Sequence, residues 1–72
     1  MSKAAVMRKA VAVAGEHMGV IFAERGTGPA IVSECRKVWR RNARLGGFSE
    51  RDIRDGWHEA FDLATVVLLS RL

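Results

Sequence analysis

The chain has 72 residues, 49% of them hydrophobic, and its 12 Lys and Arg against 8 Asp and Glu give a net charge of +4. This length allows one small domain, residues 1–72, because a chain of this size buries only about 60% of its unfolded surface. Its single cysteine excludes an internal disulfide and cannot form a metal site alone, so association with another chain is the expected supplement to the core.

The first predicted helix spans residues 3–25 and has Ser2 as its N-cap. Alternating steps of four and three residues define an apolar seam that comprises Met7, Val11, Ala14, Met18 and Ile21. A second apolar row recurs every seven residues on a neighbouring flank and comprises Val6, Val13 and Val20. Together the rows make the apolar sector about 200° wide, whereas a surface helix needs only about 100°. We therefore expect this helix to be buried on two sides.

Two membrane-related readings of the same segment are rejected. The apolar run Ala10–Ala14 is too short for the h-region of a signal peptide, and charged residues follow at once. A membrane span needs about 20 consecutive apolar residues, and the sequence has no such run. The GxxxG pair Gly15 and Gly19 would matter in lipid. In a soluble helix we interpret it as close packing against small residues such as Ala12 and Ala23.

The second predicted helix spans residues 29–45. Gly26 suits the end of the first helix, and Pro29 suits the first turn of the second. The glycines between these helices do not predict a phosphate-binding loop, because the pattern GxxxxGK[ST] is absent. Cys35, Val38 and Trp39 mark its apolar side. Its opposite side, the basic face, carries five cations: Arg36, Lys37, Arg40, Arg41 and Arg44. No acidic residue occurs between Cys35 and Ser49, so we expect this face to be unneutralised and to bind a partner.

The third predicted helix spans residues 49–70, with Ser49 as its N-cap and Asp52 close to a capping-box position. A connection of about four residues favours an antiparallel hairpin of the second and third helices. The first half of the helix carries an acidic stripe: Asp52, Asp55, Glu59 and Asp62. If the apolar faces share one core, the acidic stripe and the basic face point away from it. We therefore expect that they do not neutralise each other within a subunit.

Apolar residues cover nearly every direction of the last two turns of the third helix, and a small monomer would expose part of that surface. We therefore predict a homodimer or higher oligomer. Its predicted interface combines the outer row of the first helix with the end of the third: Val6, Val13, Val20, Leu63, Val66 and Leu69.

Catalytic and metal-binding side chains are sparse. His17, Cys35 and His58 are the only histidines and cysteine, one on each predicted helix, without CxxC or HxxxH spacing. A Cys35–His58 nucleophilic pair would need hydrogen-bond contact in a cleft. We interpret Cys35 as a small buried apolar residue and His58 as an exposed imidazole beside the acidic stripe. The chain is therefore predicted to be no enzyme and to hold no metal or cofactor.

These patterns predict an all-α fold, a small three-helix domain with a helical hairpin that dimerisation completes. The leading function is a non-catalytic, cytoplasmic adaptor or inhibitor that binds and regulates a larger protein, by analogy of the phage or mobile-element type. The alternative is a small dimeric DNA- or RNA-binding regulator that uses the basic face. No aromatic residue interleaves that face and the third helix begins acidic, which disfavours base stacking and a helix–turn–helix. In a third interpretation, the basic face is only exposed to solvent and binds no partner.

Overall fold

The computed structural model describes residues 2–72, which form three α-helices: α1 (Lys3–Arg25), α2 (Pro29–Leu45) and α3 (Glu50–Ser70). No strand occurs within this range. The prediction of an all-α fold with three helices is confirmed, and the helix bounds agree with the predicted ones to within a residue.

Serine side chains begin two of the helices. The Ser2 hydroxyl accepts a hydrogen bond from the backbone N–H of Ala5 at 3.1 Å. The Ser49 hydroxyl accepts one from the N–H of Asp52 at 3.2 Å. Each bond satisfies an N–H group that has no partner inside its own helix. Both predicted N-caps are therefore confirmed.

Glycine and proline set the two connections. Gly26 ends α1 with φ at 88° while its N–H donates to the Phe22 carbonyl at 2.9 Å. Gly47, between α2 and α3, has φ at 81°. Residues with a Cβ rarely adopt such angles, so both turns depend on glycine. Pro29 is the first residue of α2, where its missing N–H costs nothing.

The most extensive helix contact joins α1 to α3, and glycine allows their close approach. A methyl group on Gly15 would lie 2.7 Å from Cδ2 of Leu63, and one on Gly19 would lie 2.5 Å from Cβ of Val67. The predicted close packing of the glycine pair is confirmed. Its partners are branched side chains of α3 and not Ala12 and Ala23, which are exposed.

The buried core draws on all three helices: Val11, Met18, Phe22, Cys35, Trp39, Ala43, Ile53, Trp57, Ala60 and Ala64. The apolar seam of α1 faces it, since all its members are buried or half-buried. In the outer row, Val6 and Val13 are exposed and Val20 is half-buried. Within this chain α1 is therefore well covered on one flank only, which differs from the two-sided burial expected of it.

Helix α2 packs against α3 and makes the least extensive contact with α1. The Cα atoms span 35 × 22 × 14 Å. Because α1 and α2 contact each other so little, a groove between these two helices remains open.

Candidate protein-binding surfaces

A concave apolar groove of about 550 Å³ lies between α1 and α2. Buried Met18, Trp39 and Ala43 are among the residues that line it. On the α1 side the small residues Ala10 and Ala14 contribute to its wall. Because alanine fills little of the space between two helices, this wall leaves the groove wide.

Exposed valines lie at both edges of the groove. On α1, Val6 and Val13 are 41% and 62% exposed, and Lys9 lies three residues after the first and four before the second. On α2, Val38 is 43% exposed, and Glu34 precedes it by four residues. Residues at these spacings are neighbours on a helix surface. The groove therefore combines an apolar lining with cations on its α1 side, Lys9 and Arg25, and one acid on its α2 side.

Cys35 lies within the groove lining, where it is buried. Burial raises the pKa of its thiol; nearby Arg25 lowers it and Glu34 raises it, both by smaller amounts. At neutral pH the side chain is therefore a protonated thiol, which is a poor nucleophile.

The two histidines and the cysteine do not all line one cavity. His17 lines the groove with Cys35, whereas exposed His58 is not part of the lining. Within residues 2–72, no three His, Cys, Asp or Glu side chains are grouped so that they could hold a metal ion.

The basic face is partly neutralised by Glu50, the first residue of α3. The guanidinium of Arg44 donates to both carboxylate oxygens of Glu50, at 3.1 Å from Nε and 2.8 Å from Nη2. Arg40 donates to the same carboxylate at 3.2 Å. The hydrogen bond between Arg44 and Glu50 is the main cause that raises the pKa of Arg44 and lowers that of Glu50.

The expectation that no acid neutralises the basic face is therefore wrong for Arg40 and Arg44. The relevant acid, Glu50, lies across the turn, one residue beyond the acid-free interval between Cys35 and Ser49. Arg36, Lys37 and Arg41 are exposed, and they form no ion pair with any other residue in 2–72.

All four residues of the acidic stripe are exposed. Asp55 lies 3.9 Å from Arg51 Nε and 3.7 Å from Arg54 Nε, on its own helix. Exposed pairs of this kind contribute little to stability. The stripe and the basic face form no ion pair with each other in the described part of the chain, as expected.

The residues predicted for the oligomer interface occupy two separate surfaces. Val6, Val13 and half-buried Val20 lie on the outer row of α1. At the end of α3, Leu63 is half-buried against Gly15. Three exposed residues near the end of the chain form what we call the α3 apolar stripe: Val66, Leu69 and Leu72 at 62%, 62% and 90% exposed. Leu72 is not among the predicted interface residues because it follows the predicted helix.

None of the helices within residues 2–72 combines the length and the apolar character needed to cross a membrane. Comparison of the chain with protein families, curated proteins and solved structures found no match.

Proposed function

We propose that the protein is a non-catalytic cytoplasmic adaptor or inhibitor that binds and regulates another, larger protein. In this proposal it acts as a homodimer, and α2 and α3 form an antiparallel hairpin that presents the outer surface of α2 to the partner. The cognate surface on the partner is acidic with an apolar spot.

One observation carries the proposal: the outer surface of α2 combines unneutralised cations with exposed apolar side chains. Arg36, Lys37 and Arg41 form no ion pair in the described range. Leu45, four residues after Arg41, is 82% exposed. Arginine and large apolar side chains together favour protein interfaces, whereas phosphate binding needs the cations alone. Opposite charge on a partner would steer association and set orientation.

Affinity capture from a cell lysate, with and without nuclease treatment, tests this proposal. The variant carries three substitutions, Arg36→Glu, Lys37→Glu and Arg41→Glu. A matched control carries Arg8→Glu, Arg51→Glu and Arg54→Glu, which changes the net charge equally on other surfaces.

We expect the same protein to be retained by the wild type and the control and lost by the α2 variant. Retention that depends on intact nucleic acid would contradict the proposal. So would a captured protein that the α2 variant retains as well as the control does.

The second candidate function is a nucleic-acid-binding regulator. It is favoured by the same three unneutralised cations, two copies of which in a dimer could contact about six phosphates. The engagement of Arg40 and Arg44 by Glu50 counts against it, because these two guanidinium groups lie within the basic face and are already paired. We therefore rank it second.

A further inference from the structure

Two apolar surfaces of this chain are uncovered, and they differ in shape. The α1–α2 groove is concave, about 550 Å³ in volume, and lined largely by apolar side chains. The α3 apolar stripe is convex, since Val66, Leu69 and Leu72 are all exposed at steps of three residues on or just after one helix. A concave apolar groove between two helices is a common binding site for an amphipathic helix.

The charges of the two surfaces are complementary. Lys9 and Arg25 line the groove, against a single acidic residue, Glu34. On α3, Asp62 lies four residues before Val66 and Glu59 lies seven before it, so both acids are in line with the stripe. Neither Lys9 nor Asp62 forms an ion pair elsewhere in residues 2–72. A second copy therefore brings a stripe that matches the groove in polarity and in charge.

We propose that the α3 apolar stripe of a second copy of this chain occupies the α1–α2 groove. The contact is reciprocal: each copy inserts its stripe into the groove of the other, and a two-fold axis closes the pair as a dimer. This inference rests on the homodimer of the proposed function and assigns the surfaces that form it.

Other pairings of these surfaces are less favourable. Two grooves face to face would bring Lys9 and Arg25 of one copy near those of the other. Two stripes packed in parallel would bring Asp62 and Glu59 near their own counterparts, and two packed antiparallel would leave these acids without the groove cations. Like charges in contact disfavour a complex. Only the pairing of a groove with a stripe brings apolar groups together and also places cations beside acids.

Two single variants and their mixture test the reciprocal contact by sedimentation and light scattering. Val38→Lys places a charge on the groove edge, and Leu69→Glu places one on the stripe. Both side chains are partly exposed on helices, so circular dichroism should show unchanged helix content. Ser33→Lys, on the opposite side of α2 from Val38, is the matched control.

We expect each variant alone to raise the dimer Kd by about tenfold or more, because both reciprocal contacts then bury a charge against apolar groups. Ser33→Lys should leave the Kd unchanged. An equimolar mixture of the two variants should dimerise again. The mixed dimer has one wild-type contact, and in the other the new lysine faces the new glutamate.

The outcomes are distinguishable. A wild-type monomer would overturn both this inference and the homodimer of the proposed function. A dimer that persists in either variant, or a mixture that does not reassociate, would overturn this inference and leave the homodimer standing. If Leu69→Glu lowers the helix content, Leu72→Glu replaces it, because that side chain is 90% exposed and outside the core.

Discussion

The indole N–H of Trp39 donates a hydrogen bond to the backbone carbonyl of Ile53 at 2.8 Å inside the core. The ring lies against Gly56, where an added methyl group would be 2.6 Å from Cζ2 of Trp39. One side chain of α2 thus contacts the backbone of α3 at two positions that are three residues apart. Because α2 contacts α1 so little, this attachment sets how far α2 stands from α1 and hence how wide the groove is.

Trp39→Phe should destabilise the fold by about 2 kcal/mol, because it removes a buried hydrogen bond and part of a buried ring. Trp57→Phe is the control, since no hydrogen bond of the Trp57 indole occurs within residues 2–72. Its cost should be smaller by about 1 kcal/mol. Urea unfolding followed by circular dichroism measures both values. Equal costs would show that the Trp39 hydrogen bond contributes nothing.

Gly19→Ala should destabilise the protein by about 1–3 kcal/mol, although alanine is the better helix former. The new methyl group would lie 2.5 Å from Cβ of Val67 and 3.0 Å from the Ala64 carbonyl oxygen. Part of this loss should be recovered in the double variant Gly19→Ala, Val67→Ala. Thermal unfolding of the four proteins gives the coupling between the two sites. Additive effects would mean that this close approach of α1 and α3 is absent.

The features predicted from sequence are those that depend on neighbouring residues. Ser2, Pro29 and Ser49 determine where helices begin, because capping uses groups three residues away or fewer. The groove was not predicted, since helical periodicity shows which residues are apolar but not which helices pack closely. The same limit explains Glu50: its contact with Arg44 depends on how α3 leaves the turn, which residue spacing does not specify.

Glu50→Gln should reduce the loss of stability on acidification. The hydrogen bond from Arg44 is the largest cause that lowers the pKa of Glu50 in the folded chain. A lowered pKa stabilises the fold above the ordinary range of glutamate, and this contribution is lost as the pH falls through the lowered value. The drop in Tm between about pH 7 and about pH 3 should therefore be larger in the wild type than in the variant.

Glu24→Gln serves as the control for this measurement, because Glu24 is exposed, lies outside the groove lining and forms no ion pair within the described range. Its acid-induced drop in Tm should match that of the wild type. The difference caused by Glu50→Gln should shrink at high salt, since the pair is exposed to solvent. A variant whose Tm falls with pH as steeply as that of the wild type would contradict the role of the pair.

Cys35 should react with a disulfide reagent much more slowly in the folded chain than in urea. The thiol is buried in the groove, and burial raises its pKa. Reaction requires both access and the thiolate form. If the groove is covered in the dimer, the rate should fall further as the protein concentration rises, and Val38→Lys should remove this dependence. A rate equal to that of the unfolded chain would contradict the burial of Cys35.

The outer surface of α2 is proposed to bind a protein and not nucleic acid, and the salt dependence of duplex binding distinguishes the two. Fluorescence anisotropy is measured on mixed duplex fragments at two salt concentrations. We expect a Kd no tighter than the ordinary non-specific range of about 10⁻⁴–10⁻⁶ M at physiological salt. The contradicting result is a much tighter Kd, with an association constant that falls as salt rises at a log–log slope of about −5. That slope corresponds to about six phosphates contacted by two copies of Arg36, Lys37 and Arg41, and reversing these three charges would then abolish the binding.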